Sequence, residues 1–493
     1  MKTCVMVKKW VAVLMCLAVV MSCVGFAGIS ASAEGVETPQ SEWEMTVPQI
    51  RVTTENGNGT TLEKEDGYQN AQISITGTDG STLSDACLFK VRGNTTALNW
   101  VKKKAFTFKF EKKKDVLGMG KGKKWALIAN TFDPTLLRNY LAFSIAKEMG
   151  LAYTSNFQFV ELWVDDTFRG CYLLMEPVQE GKDRVNIDIE GDDGKKDFLM
   201  EYEAQREEEG VTYFKVDGLR FIASEPEDPT EEQLAYIQET VQGIVSAIRS
   251  GTREEIEAKI DVTSFAKFFL LNEYLKTFDF NMSSVFFYYQ DGKLYAGPPW
   301  DYDLSAGNSN PEFGTRGRDA SMTENVFADK NIYKFLCKQA WFKDEVSKVY
   351  HQYYDYFTSI SADGGLLDTA YAQYADIIGR NYNEAGWNIG KYWINIQKKP
   401  LATYAENFDY LKTWLAQRHE WMTGYYQPVE DYILGDADGD GVVTINDVTV
   451  IQRVLAEAAE LANPLTADVN KDGVVTIEDA TLIQNYLAEM IEL

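Results

Sequence analysis

A 12-residue pattern that occurs twice near the end of the chain is the strongest constraint on its fold. The first copy, D-A-D-G-D-G-V-V-T-I-N-D, begins at Asp436, and the second, D-V-N-K-D-G-V-V-T-I-E-D, begins 32 residues later at Asp468. Oxygen-bearing side chains stand at positions 1, 3, 5, 9 and 12, and glycine stands at position 6, which is the spacing of a calcium-binding loop. So many acids would repel one another without a cation among them. The pattern therefore predicts two calcium loops.

The predicted calcium ligands occupy matching positions in the two copies, with a backbone carbonyl at position 7. They are Asp436, Asp438, Asp440, Val442, Thr444 and Asp447 in the first loop, and Asp468, Asn470, Asp472, Val474, Thr476 and Asp479 in the second. Each loop is followed by a segment with helical character. The sequence thus predicts a small all-α module with two bound Ca²⁺ ions over residues 435–493.

Two features of this module differ from an EF-hand. Position 12 is Asp instead of the usual Glu, and only the helix after each loop is present. In this form the module resembles a type I dockerin. The resemblance implies calcium-dependent folding and docking to a cohesin domain of a scaffoldin, as in a cellulosome. It implies these recognition positions: Ile445, Asn446, Gln452, Arg453, Ile477, Glu478, Gln484 and Asn485. The alternative is that the two isoleucines are isolated exposed apolar residues, which are common on protein surfaces.

The N-terminal 33 residues have the order of a secretory signal peptide. Three lysines precede an apolar run over residues 10–27, and Ala31-Ser32-Ala33 follows as a cleavage site. Residues 34–47 form a polar lead-in. We therefore expect a secreted protein, extracellular or associated with a cell-surface scaffold, with no membrane attachment after cleavage. A retained anchor and lipidation at Cys23 are the alternatives.

Composition narrows the chemistry of the mature chain. Removal of the three lysines moves the formal net charge from −26 to −29, which disfavours nucleic acid and anionic membranes as partners and permits a basic protein substrate. The remaining cysteines, Cys87, Cys171 and Cys337, are distant and odd in number, which argues for buried free thiols. With only His351 and His419 in the chain, histidine-based triads and zinc sites are disfavoured. If the protein is an enzyme, catalysis by carboxylates remains, either with bound magnesium or as a glycosidase pair.

Residues 48–430 are predicted to form an α+β domain with a β-rich N-terminal half and a helical C-terminal half. Period-two alternation predicts strands over 50–53, 71–75, 88–91 and 106–110. A buried-type strand is predicted over 125–129, and two further strands over 157–164 and 170–175. Period-3.6 patterns predict helices over 133–150, 230–249, 264–276, 332–357 and 408–425.

A hairpin is predicted within residues 277–308. Two aromatic alternating runs meet at Asp291-Gly292, a strong indication of a tight turn. Asp279 stands at the entry of this hairpin, and Asp301 and Asp303 stand at its exit. Because a hairpin brings its ends together, these acids are expected in one small site, suited to metal-assisted chemistry or to a glycosidase pair.

Five short motifs complete the pattern: R-G-N-T-T from Arg92, K-K-K ending at Lys104, L-R-N around Arg138, G-C-Y-L-L-M-E ending at Glu176, and W-D-Y-D from Trp300. In this order they resemble the spore-coat protein H (CotH) kinase family, over residues 47–426. The resemblance implies an atypical, two-lobed protein-kinase-like fold and phosphoryl transfer from ATP to Ser or Thr.

Phosphoryl transfer needs cations on the phosphates, carboxylate-bound Mg²⁺ or Mn²⁺, and an acid that accepts the hydroxyl proton. The resemblance implies that Asp279 is the acid/base and that Asp301 is the metal ligand, with Asp303 and Asn281 as further metal candidates. The predicted phosphate ligands are Arg92, Lys104 and Arg138. Glu176 is predicted to border the adenine. Each acid could instead be a turn or cap residue, and Arg138 could pair with a neighbouring acid. The chain departs from ordinary kinases in lacking a G-x-G-x-x-G loop and in carrying Ser284 five residues after Asp279.

The sequence leaves three functions open. The first is a secreted kinase, anchored by its dockerin, that acts on a basic, Ser-rich protein. The second is a non-catalytic accessory or binding protein of a cellulosome. The third is a glycoside hydrolase acting in polysaccharide degradation.

Overall fold

The structure is a computed structural model, and its two halves differ in secondary structure. It describes residues 45–204, 206–308, 321–324, 331–388, 401–428, 433–459, 461, 464–470 and 474–491. The predicted signal peptide and the predicted ligand Asp472 lie outside these residues. The α+β class, with strands in the N-terminal half and helices in the C-terminal half, is confirmed.

Seven strands of the N-terminal half close into a barrel in the order β1-β2-β3-β4-β5-β7-β6. They are β1 (Gln49–Thr54), β2 (Gln69–Thr76), β3 (Thr82–Arg92), β4 (Ala105–Asp115), β5 (Lys121–Ile128), β6 (Phe157–Val164) and β7 (Thr167–Met175). All neighbours are antiparallel except β1 and β6, whose parallel pairing closes the barrel. Apolar side chains such as Phe89, Phe106, Phe108 and Trp125 fill the interior. The interior of the barrel therefore has no room for a ligand.

A second sheet of five strands has the order β12-β11-β8-β10-β9. Its strands are β8 (Phe198–Tyr202), β9 (Tyr213–Val216), β10 (Leu219–Glu225), β11 (Val285–Gln290) and β12 (Lys293–Ala296). The predicted hairpin is confirmed as β11 and β12, with both turn residues, Asp291 and Gly292, at positive φ.

Helices make up most of the remaining structure. They are α1 (Arg138–Glu148), α2 (Gly191–Gly194), α3 (Glu231–Ser250), α4 (Arg253–Glu257), α5 (Val262–Leu275), α6 (Tyr333–Leu336), α7 (Ala340–Gln352), α8 (Tyr354–Ser361), α9 (Leu366–Asn383), α10 (Tyr404–Tyr425), α11 (Ile445–Leu455), α12 (Pro464–Ala467) and α13 (Ile477–Leu487). Helix α1 begins five residues later than predicted, because Asp133 accepts hydrogen bonds from Thr135 and Arg138 in a turn that includes Leu136 at positive φ.

Helix α5 is the support of the hairpin and is buried over most of its length. Its Glu273 forms an ion pair with Arg418 of α10 at 3.1 Å, and both side chains are inaccessible to solvent. The Arg418 guanidinium also donates to the backbone carbonyls of Glu273, Met322 and Glu324. This ion pair fixes α5 against α10. It therefore also fixes the start of the hairpin segment, which follows α5.

Residues 433–491 have a hydrophobic core of their own. Helices α11 and α13 pack against each other around Val448, Ile451, Ala480 and Ile483. Among the described residues, no helix has the length and apolar character needed to cross a membrane.

Candidate functional site

A pocket lies where the barrel meets the hairpin segment. It is lined by the turn after β3, by Asn130 after β5, by Met175 at the end of β7, and by Asp279, Asp301 and Asp303. Its volume is about 110 Å³, which corresponds to a few water molecules. The described walls could therefore hold a phosphate group and its ions.

The hairpin brings its two ends together as predicted. Asp279 lies in a short 3₁₀ turn, Phe278–Asn281, directly after α5. The N–H of Phe278 donates to the carbonyl of Leu304 at 2.9 Å, so the entry and the exit of the hairpin segment are hydrogen-bonded to each other. As a result Asp279, Asp301 and Asp303 line one pocket.

The carboxylates of this pocket repel one another. The pKa of Asp303 is raised well above its usual value, first by burial and then by Asp301, Asp279 and Asp133. Burial also raises the pKa of Asp301, while Arg92 and Arg206 oppose that shift. A bound cation would relieve this repulsion.

The residues fit a divalent ion that is shared with phosphate. Among the described residues, only Asp436, Asp438 and Asp440 place three ligand oxygens within 4.8 Å of one another. The pocket acids are more widely spaced than that. Mg²⁺ usually takes one or two carboxylates and completes its shell with water and substrate phosphates, and this spacing suits that coordination.

Arg92 is the predicted phosphate ligand that reaches the pocket. It ends β3, and its guanidinium carbon lies 5.1 Å from the ring centre of Trp300. Its Nη1 is buried and has no hydrogen-bond partner among the described residues. Burial lowers the pKa of Arg92 to about 10, and the neighbouring Asp301 opposes this shift. The group thus remains a cation beside the acids, with donor capacity for an anion.

Lys104 and Arg138 have other partners, and neither lines the pocket. The Lys104 ammonium donates to Glu63 at 2.6 Å and to two backbone carbonyls of the preceding turn. Arg138 pairs with Asp133 at 2.6 Å, and its Nε donates to the carbonyl of Ser305 at 2.9 Å. The pairing with a neighbouring acid, which the sequence left open, is the one observed. Both cations hold the backbone around the pocket.

Glu176 and Asn281 lie beside the pocket lining instead of in it. Glu176 directly follows Met175, and one of its carboxylate oxygens accepts the N–H of Asn156 at 2.9 Å. The other oxygen has no hydrogen-bond partner among the described residues and lies 3.9 Å from Nε of Arg184. The side-chain oxygen of Asn281 is also buried without a partner in the described part of the chain. Their predicted roles at the adenine and the metal stay predictions.

Two charged residues near the pocket were not predicted. Arg206 lines the pocket and faces Asp301. Glu201 of β8 accepts the N–H of Ser284 at 2.9 Å, and burial raises its pKa to about 7. The one sequence pattern that could have indicated this region is the acid Glu201 within the otherwise apolar strand β8, with Glu203 directly after it.

Three of the predicted ligands of the first calcium loop lie close together. Asp436, Asp438 and Asp440 converge, and Asp436 accepts backbone N–H groups of the loop. Thr444 is the N-cap of α11, and the carboxylate of Asp447 accepts the N–H of Thr444 at 2.7 Å. The residues at loop positions 9 and 12 therefore also cap the N-terminus of the helix. Thr476 and Asp479 have the same arrangement at α13.

The exposed positions of the two copies also correspond. Ile445 is 57% exposed and Ile477 is 58% exposed, although both are apolar. Val442 and Val474, whose carbonyls are the predicted position-7 ligands, also have exposed side chains. The two sequence copies therefore expose the same apolar residues at matching positions.

Fold and sites together define an α+β protein with a carboxylate pocket and a duplicated calcium-loop module. Residues 89–422 match the CotH kinase protein family, and residues 434–488 match the dockerin type I domain. The protein belongs to the CotH kinase protein family and carries a dockerin type I domain. No curated protein sequence matches the chain.

Proposed function

We propose that this protein is a secreted atypical protein kinase that transfers phosphate from ATP to Ser or Thr of a basic, Ser-rich protein. The observation that carries the proposal is the convergence of Asp279, Asp301 and Asp303 with Arg92 and Arg206 in one pocket. In this proposal the barrel serves as the N-terminal lobe and the helical half as the C-terminal lobe of a kinase-like arrangement.

The proposed roles follow from position and charge. Asp279, at the hairpin entry, accepts the proton of the substrate hydroxyl. Asp301, with Asp303 behind it, holds Mg²⁺ or Mn²⁺, which would neutralise charge on the ATP phosphates. Arg92 and Arg206 stand where they can bind phosphate oxygens.

The dockerin supports the proposed location. Its two calcium loops would order the α11–α13 pair, and the exposed recognition positions around Ile445 and Ile477 would bind a cohesin domain of a scaffoldin. The protein would then act outside the cell, as a component of a cellulosome-type assembly.

Phosphate transfer tests the proposal directly. Full-length protein with labelled ATP and Mg²⁺ or Mn²⁺ is expected to label a basic, Ser-rich protein. Asp279→Asn and Asp301→Asn should each lower the rate by about 100-fold or more, since each removes a charge that the transfer requires. Asp344→Asn, at an exposed position of α7, is the matched control and should keep the wild-type rate.

Two results would contradict the kinase proposal. One is the absence of labelling with either metal together with no nucleotide-induced thermal shift. The other is release of sugar from a plant polysaccharide that is lost in the same two variants, which would favour a glycoside hydrolase.

A further inference from the structure

Two buried asparagines line the candidate pocket, and neither has a role in the proposed function. Asn130 follows β5, and Asn139 lies in the first turn of α1. Only 3% of Asn130 and 2% of Asn139 are exposed. Because a buried amide without hydrogen-bond partners is costly, the partners of these two side chains indicate what they do.

The Asn139 side chain reaches the backbone between two of the pocket acids. Its Oδ1 accepts the N–H of Tyr302 at 2.8 Å, and Tyr302 stands between Asp301 and Asp303 in the sequence. These three residues belong to no strand or helix, so no regular backbone pairing holds this N–H in place. The ring of Tyr302 packs edge-on against Phe143 of α1, with the ring centres 6.0 Å apart. Helix α1 thus holds Tyr302 both by its backbone and by its ring.

The amide of Asn139 can face in only one direction. Its Nδ2 donates to Oδ1 of Asn130 at 2.8 Å, and Nδ2 of Asn130 donates to the carbonyl of Leu136 at 3.2 Å. The carbonyl at one end of this chain of hydrogen bonds can only accept, and the N–H of Tyr302 at the other end can only donate. The side-chain oxygen of Asn139 is therefore directed at Tyr302 and cannot exchange places with its amino group.

The backbone of Asp301 requires such support. It lies in the left-handed region at φ +65°, which is uncommon for a residue other than glycine. Conformations of this kind persist where the surrounding structure fixes them. The N–H that Asn139 binds belongs to the peptide group directly after Asp301. Rotation of that peptide group would turn the side chains of Asp301 and Asp303 away from their present positions in the pocket.

We propose that Asn139, oriented by Asn130, is a positioning residue that holds Asp301 and Asp303 in the arrangement that binds a divalent cation. Residues that support metal ligands from outside the coordination shell typically change metal affinity about 10- to 100-fold when they are lost. The inference rests on the metal-binding role of Asp301 in the proposed function.

Binding of Mn²⁺ alone tests the inference without turnover. Full-length protein, in enough Ca²⁺ to occupy the dockerin loops, is titrated with Mn²⁺, and the free ion is measured by electron paramagnetic resonance. The binding that Asp301→Asn abolishes defines the pocket ion. Asn139→Ala should weaken this binding about tenfold, because it removes the acceptor of the Tyr302 N–H.

A second variant tests the orientation of the Asn139 amide. The backbone of Asn130 is left-handed at φ +48°, which glycine tolerates, so Asn130→Gly removes the amide without straining the turn. This variant should weaken Mn²⁺ binding about threefold, which is less than Asn139→Ala does, because Asn139 keeps its oxygen and loses only the partner that orients it.

Asn381→Ala is the matched control. Only 1% of Asn381 is exposed, and its Oδ1 accepts the N–H of Cys171 at 3.1 Å, outside the pocket lining. The variant therefore loses a buried bond of the same kind as Asn139→Ala, but it should bind Mn²⁺ as the wild type does. Thermal unfolding of each variant verifies that it is folded.

The outcomes distinguish this inference from the proposed function. Wild-type Mn²⁺ affinity in folded Asn139→Ala, or an equal loss of affinity in Asn381→Ala, would overturn the inference. If Asn139→Ala does not fold, Asn130→Gly decides, and wild-type affinity in that variant has the same meaning. The proposed function fails separately, in the phosphate-transfer assay. Asp301-dependent binding that Asn139 supports, without phosphate transfer, would leave the inference standing and overturn the kinase.

Discussion

Arg138 supports the pocket from behind. Its guanidinium bonds Asp133 and the carbonyls of Ser305 and Ala306, which directly follow the acids of the hairpin exit. Only 2% of Arg138 and 1% of Asp133 are exposed, so neither charge has solvent to replace its partner. The pair connects α1 to the segment that carries Asp301 and Asp303.

Loss of Arg138 should therefore be costly for stability. Arg138→Met leaves the buried Asp133 charge unpaired, and we expect it to lower the free energy of unfolding by about 3 to 5 kcal/mol. Urea unfolding followed by tryptophan fluorescence measures this change. Arg249→Met, which breaks an exposed pair with Asp217, should cost less than about 1 kcal/mol. Equal losses in the two variants would show that the Arg138 pair has no special role.

Lys103 joins two strands of the barrel from the inside of the fold. Its ammonium donates to the carbonyl of Ala129, which follows β5, and to that of Cys171 in β7, both at 2.8 Å. Only 2% of the residue is exposed. Burial lowers the pKa of Lys103 to about 7, so the group loses its proton more easily in the folded protein than in the unfolded chain.

This shift predicts a pH-dependent stability. Between pH 7 and about 10 the unfolded chain, in which lysine has a pKa of about 10.4, binds more protons at this position than the folded protein does. Stability contributed by this site therefore rises with pH in that window, by up to about 1.4 kcal/mol per pH unit. Lys103→Met should remove this rise in urea titrations at pH 7, 8 and 9. Lys109→Met, exposed on β4, should keep it, and an identical pH profile for both variants would contradict the assignment.

Local elements were predictable because their information is local. The hairpin followed from two alternating runs and Asp291-Gly292, and the strand and helix positions followed from periodicity. Closure of the barrel was not predictable in this way, since it depends on pairing between β1 and β6, which are about a hundred residues apart. Glu201 and Arg206 were missed for the same reason: β8 pairs with β11, which is more than eighty residues later, and Arg206 meets Asp301 only in the folded pocket.

The proximity of the three acids was predictable from the sequence, whereas the partners of Lys104 and Arg138 were not. Asp279, Asp301 and Asp303 are brought together by one hairpin, so their sequence positions already imply proximity. Lys104 and Arg138 stand in motifs of the family, but their partners, Glu63 and Asp133, are visible only in three dimensions.

At the scale of the whole molecule, calcium should control one part of the chain only. Residues 433–491 contain no tryptophan, and all 11 tryptophans precede them. Chelation of Ca²⁺ should unfold this module, lower the far-ultraviolet circular dichroism of α11 and α13, and abolish cohesin binding, because the clustered acids would repel one another. Tryptophan fluorescence should stay unchanged.

Substitution within the first loop gives the matched test. Asp436→Ala should reduce cohesin binding even in saturating calcium, whereas Asp344→Asn on α7 should not. Cohesin binding that persists in excess chelator would contradict the calcium-dependent module.

The parallel pairing of β1 with β6 also determines the order in which the chain can fold. Synthesis proceeds from the N-terminus, so β1 is made long before β6, the strand whose pairing with β1 closes the barrel. During that interval β1 can pair with β2 on one side only, and its other edge offers unpaired N–H and carbonyl groups to any neighbouring chain. The nascent protein thus passes through an aggregation-prone period that ends only when β6 has been synthesised and has paired with β1.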